Sequence, residues 1–110
     1  MERVSNINAY QSPTLWVNID DLSIPCAVPD VATVERIMEK ASRVTGFKGR
    51  LTKEQYDYTF DLFAEVLSCN HDYMDYTPED LKKKKVTIAK VMGVLTDWVQ
   101  FIGELPNLKN

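Results

Sequence analysis

Histidine, cysteine and glycine are scarce in this chain, and each scarcity removes a class of function. Of its 110 residues one is histidine, two are cysteine and four are glycine. A single histidine, His71, leaves no pair of imidazoles to grip a transition metal. The few glycines form no phosphate-cradling loop and no nucleophile elbow. Cys26 and Cys69 are too few for a disulfide framework and read as reduced, largely buried thiols. No apolar run reaches the length of a membrane span. The opening Met1-Glu2-Arg3-Val4-Ser5-Asn6 leads into polar sequence rather than the apolar core of a secretory signal, so a cytoplasmic protein is expected. There is no basic excess either: 13 lysines and arginines stand against 16 acidic residues, a formal net charge of -3. A nucleic-acid binder needs cations for phosphates, and the one cluster, Lys82 to Lys85, directly follows Glu79 and Asp80. Nucleic acid is therefore an unfavoured partner.

What is present is an ordinary globular composition, 45% hydrophobic and 26% charged, long enough for one modest core. We expect a loose arm over residues 1–13, one α+β domain over 14–105 and a short tail over 106–110. From Thr14, Leu15, Val17 and Ile19 alternate with Trp16 and Asn18, the pattern of a half-buried strand. Asp20-Asp21 fits a tight turn. Leu22, Ile24, Cys26 and Val28 alternate again, and Pro25 restricts this second strand to an edge or a bulge. The product is a β-hairpin over 14–28, which is marginal by itself and needs helices on its apolar face.

Helices are expected over about 30–45, 52–69 and 78–104. Asp30 is the expected N-cap of the first and Gly46 its stop. The second opens on a capping box, Thr52 with Gln55, and carries Tyr56, Phe60, Phe63, Val66 and Leu67 on one stripe, with Asn70 at its end. The third opens on Thr77-Pro78. Its stripe is Ile88, Val91, Met92, Leu95, Trp98, Val99 and Ile102, with Trp98 assigned to the core. The β-branched Val86-Thr87 pair leaves open a break into two helices with Thr87 as a second cap. Pro106 is expected to stop the last helix.

Three polar groupings invite chemistry. Cys69 with His71 suggests a thiol–imidazole pair, yet no third group orients it and no oxyanion site accompanies it. Asp72, Asp75, Glu79 and Asp80 suggest an oxygen cage for a hard cation, yet the calcium-loop pattern with its central glycine is missing. The lysines from 82 to 85 read most simply as a solvated helix face. No catalytic residue, cofactor or metal site is therefore expected. The third helix says more. Val94, Phe101 and Leu105 flank its core stripe and widen the apolar arc to about half the circumference, beyond the roughly 100° that a surface helix needs. That surplus fits contact with the hairpin or first helix of the same chain, and equally contact with another chain, a copy of itself or a different protein. Tyr76, beside Tyr73 and near Tyr58, forms a second interface candidate.

Two runs carry a family resemblance. TLWVNIDDLSIPCAVPDVATVERIMEKA resembles the opening of tail assembly chaperones of long-tailed bacteriophages, where a short hairpin leads into a first helix. LSCNHDYMDYTPEDLKKKKVTIAKVMGVLTDWVQFI resembles their helical second half. The resemblance implies a non-catalytic assembly factor in the host cytoplasm, absent from the finished virion. It would coat an apolar tape-measure protein and recruit tail-tube subunits. It also implies an extended product made by ribosomal slippage, for which Lys109-Asn110 can be encoded on a slippery A-AAA-AAC run. The rival readings are a small phage- or plasmid-borne inhibitor of a host protein and a nucleic-acid-binding regulator acting through Lys82 to Lys85.

Overall fold

The computed structural model describes residues 13–108, with side chains as far as Leu105. The arm expected over residues 1–13 lies outside this range apart from Pro13, as do the last two residues of the expected tail. The order of elements is β1 (Thr14–Ile19), β2 (Leu22–Ala27), α1 (Val31–Thr45), α2 (Lys53–Ser68), α3 (Pro78–Lys83) and α4 (Ile88–Leu108). This is the expected α+β fold, a hairpin on four helices.

The hairpin follows from its alternation. β1 and β2 pair antiparallel with Ile19 opposite Leu22 and Thr14 opposite Ala27. Asp20 takes a left-handed φ of 54° in the turn, a conformation that aspartate tolerates better than most residues. Val17, Ile19, Ile24 and Cys26 face the core and are buried. β2 ends at Ala27, one residue short of the expected Val28. Its outer edge is covered: the Ala27 N–H donates to the Cys69 carbonyl at 2.8 Å and the His71 N–H to the Pro25 carbonyl at 2.9 Å. Pro25 lies in the same phase as Ala27, so its missing N–H falls on this outer edge and breaks no bond between β1 and β2.

α2 is the central element. Its capping box is complete, with Thr52 Oγ1 accepting from the Gln55 N–H at 3.1 Å and Gln55 Oε1 accepting from the Thr52 N–H at 3.0 Å. Phe60, Leu62, Phe63, Val66 and Leu67 are buried on it. Tyr56, expected in the core stripe, instead sits 36% exposed and stacks on the Phe60 ring at 4.9 Å. Around α2 pack α1, α3, α4 and β2. α1 buries Ile37, Ala41 and Val44. Asp30 occupies its N-cap position, but the side chain accepts no capping hydrogen bond, so only its backbone conformation serves the cap. Gly46 ends α1 with a right-handed φ of -81° rather than the left-handed turn that favours glycine.

The expected third helix is two helices. α3 ends at Lys83, and Lys85 takes a left-handed φ of 57°. Thr87 then starts α4, its Oγ1 accepting from the Lys90 N–H at 3.3 Å. The lysine run is thus not one helix face: only Lys82 and Lys83 are helical, and Lys84 is the C-cap of α3. Thr77 Oγ1 accepts from the Asp80 N–H at 3.2 Å, without the reciprocal Asp80 contact of a capping box. α4 continues past Pro106 to Leu108. The proline removes a bond only in the last turn, where a helix is about to end in any case.

One ion-pair cluster ties α1 to α2. Arg36 reaches Glu65 Oε1 at 2.7 Å and Lys40 reaches Oε2 at 3.0 Å. Burial raises the Glu65 carboxyl, but the hydrogen bonds from Lys40 and Arg36 outweigh it and hold the group below the ordinary glutamate range. A depressed folded-state value contributes stability above the unfolded value, and that contribution fades as pH falls through the folded one. The stability difference between the wild type and Glu65→Gln, followed by urea unfolding, is therefore expected to favour the wild type at neutral pH. It should shrink steadily as the pH is taken below the ordinary glutamate range. A difference independent of pH would contradict the ion-pair assignment.

Candidate protein-binding groove

The helix faces that build the site are those the periodicity already marks as apolar. On α1, Met38, Ala41 and Val44 recur at helical spacing; on α4, Met92, Leu95 and Val99 do the same. Ala41, Val44 and Leu95 are buried beneath, while Met38, Met92 and Val99 are half-buried. Between the two helices an open groove of about 460 Å³ remains, lined by these six residues together with Ser42, Thr45, Thr96 and Gln100. Apolar side chains form its floor and uncharged polar ones its rim. Thr96 turns its hydroxyl back onto the Met92 carbonyl at 2.9 Å, so that hydroxyl is engaged within α4. No charged residue lines the groove. Such a lining suits the apolar face of a helix and holds no group that would select it by charge.

The residues expected to meet a partner lie elsewhere. Val94, Phe101 and Leu105 are half-buried on the flank of α4 opposite Met92 and Val99, and none of them lines the groove. Val94 packs against the core cluster. Tyr76 is also half-buried against the core, in the segment before α3, with its backbone held at both ends by Ser68: its N–H donates to Ser68 Oγ at 3.0 Å and its carbonyl accepts from that hydroxyl at 3.2 Å. Burial first, and the nearby Asp72 carboxylate second, push the Tyr76 hydroxyl above its usual value. The tyrosines do not gather as expected. Tyr73 is 93% exposed, whereas Tyr58 packs edge-on to Phe47 with ring centroids 6.1 Å apart. Trp98 lies in the core as expected.

Of the groove residues, Met92, Leu95 and Val99 belong to the stripe of α4 that periodicity marks as core. What periodicity does not report is how far two helices stand apart.

Cys26 is fully buried and its thiol is pushed up to about 11, by burial first and by Cys69 second. Burial likewise raises the Cys69 thiol. Both are then protonated at neutral pH, the less nucleophilic form. Among the described residues no group of three or more histidine, cysteine, aspartate or glutamate side chains is placed to hold a metal ion. Lys82 pairs with Asp57 at 2.9 Å and lies 5.7 Å from the Phe60 ring centroid, so one charge of the lysine run is engaged within the chain. Among the described residues no helix is long and apolar enough to cross a membrane. Comparison of the chain with protein-family models, with curated proteins and with solved structures finds no match.

Proposed function

We propose that this chain is a non-catalytic assembly factor whose α1–α4 groove takes the apolar face of an amphipathic helix from another protein. The observation that carries the reading is the groove itself: an uncharged, methionine-bearing cleft of about 460 Å³ between two helices. Methionine side chains adapt to irregular apolar surfaces, which suits a binder that must accept successive, non-identical turns of a long helix. The layout of hairpin and helices, which resembles that of phage tail assembly chaperones, favours a tape-measure protein as the occupant. Binding there would keep its apolar stripes out of water until tail-tube subunits replace the chaperone.

Co-expression with the product of an adjacent tape-measure gene tests this. The expected result is a soluble complex holding several copies of this chain per partner. Ser42→Arg and Thr96→Arg place long charged side chains at the rim without entering the core, and together they should cut the recovered complex at least about tenfold. A complex recovered undiminished with both substitutions would overturn the groove assignment. A partner that stays insoluble while this chain elutes alone would overturn the chaperone reading and favour the inhibitor.

A further inference from the structure

The two edges of the hairpin are treated differently. β2 is covered by Cys69 and His71, as described above. β1 has no such cover: among the described residues, no backbone group outside β2 pairs with Thr14–Ile19. The phase of the ladder says which groups are left. Ala27 turns its N–H outward to Cys69, so Thr14 opposite Ala27 belongs to a pair that exchanges no bonds within the hairpin. Trp16 opposite Pro25 and Asn18 opposite Ser23 share that phase. Each of Thr14, Trp16 and Asn18 therefore points both its N–H and its carbonyl away from β2, at the free edge.

Natural sheets blunt free edges with proline, lysine, inward charge or a bulge. β1, with the sequence TLWVNI, has none of these and pairs in unbroken register. At its centre Trp16 is 62% exposed on the face away from the core. The three outward residues are spaced symmetrically about Trp16. An antiparallel copy of β1 placed on this edge by a twofold axis at Trp16 would meet it in matching phase. Trp16 then faces Trp16 of the second copy, and Thr14 faces its Asn18, with two backbone hydrogen bonds at each of the three pairs. The two indoles lie directly across from each other on one face, the arrangement in which cross-strand aromatic pairs stabilise a sheet. On the other face Leu15, half-buried in one copy, faces Val17 of the second and joins the two apolar layers. No charged residue lies within β1, so no like charges oppose each other.

We propose that the chain forms a twofold dimer through its β1 edge, giving a continuous four-stranded antiparallel sheet in the order β2–β1–β1–β2. A second copy is the occupant proposed because the exposed Trp16 indole would meet its own copy across the axis and no charge in β1 would oppose itself. This surface is separate from the α1–α4 groove, so a dimer would present two grooves.

Sedimentation equilibrium of the full chain over a range from about 1 µM to 1 mM, spanning common dimer affinities, tests the proposal. The wild type should approach twice its chain mass of 12.6 kDa. Trp16→Pro removes the central donor of the free edge but no bond to β2, as Pro25 does on the opposite edge, and should leave the chain at its monomer mass. Trp16→Lys keeps the backbone donor and sets like charges across the axis; it should weaken the dimer at least about tenfold. Either variant qualifies once its far-UV circular dichroism matches the wild type. A wild type at 12.6 kDa throughout, or a dimer equally tight in a folded variant, would overturn the proposal.

Discussion

Trp98→Ala is expected to destabilise the chain by about 4 kcal/mol, the upper part of the range for emptying a buried aromatic site. The indole is 1% exposed and is the largest of the fully buried side chains. It sits on α4, which packs against α2, α1 and β1 at once, so the space it leaves cannot be closed by a shift of one neighbour. Urea unfolding gives the loss directly, and a fall of roughly 20 °C in Tm is expected from the entropy scale of a chain this size. Trp98→Phe separates packing from hydrogen bonding. The indole Nε1 has no hydrogen-bond partner among the described residues. Phenylalanine therefore gives up contacts but no bond, and the loss should stay near 1–2 kcal/mol. A loss below about 1 kcal/mol for the alanine variant would show that the α4 core is not packed as described.

Asn70 carries the second large effect, from polar chemistry. It is buried beyond the end of α2, and its amide is satisfied at every position. Nδ2 donates to the Leu67 carbonyl at 2.8 Å and the Met74 carbonyl at 2.7 Å. Oδ1 accepts from the Asp72 N–H at 3.0 Å and the Met74 N–H at 3.1 Å. One side chain thus holds the loop that also covers the edge of β2. Asn70→Ala leaves these backbone groups unpaired and is expected to cost about 3 kcal/mol, with the loop's amide protons losing protection from exchange. Asn70→Asp is more severe at neutral pH, since a carboxylate would face two carbonyl oxygens. Those oxygens disfavour the charged form and raise the folded-state value, so part of the loss should be recovered as the pH falls and the carboxyl becomes a donor. A variant as stable as the wild type at pH 7 would contradict the assigned orientation of the amide.

These two residues also mark how far the sequence could be read. The spacing of Trp98 with Val91, Leu95 and Ile102 places it in the core, and simple alternation around Asp20-Asp21 places the strands. Local patterns of this kind carry their own physical cause, as does the Thr52–Gln55 box. In the sequence Asn70 marks only a helix end. Its four bonds bring together residues on both sides of a turn, and no local pattern encodes that closure. The break between α3 and α4 was visible as a choice, because Val86 and Thr87 weaken a helix without forbidding it. The left-handed Lys85 settles the choice, and nothing in a run of four lysines singles out that residue. Which flank of α4 stays open is not legible in the sequence, for a related reason. A wide apolar arc says that a helix has neighbours on both sides, but not which side remains open. That depends on the spacing of α1, set by Ala41 and by how both helices lean on α2.

The central claim, that the α1–α4 groove receives an amphipathic helix, is tested most directly by amide NMR of the labelled chain during titration with a soluble tape-measure segment. The account predicts shifts and broadening concentrated over residues 38–45 and 92–100, lost in the chain carrying Ser42→Arg and Thr96→Arg. Shifts confined to Lys82–Lys85 or to Val94, Phe101 and Leu105, or none at saturating peptide, would contradict it.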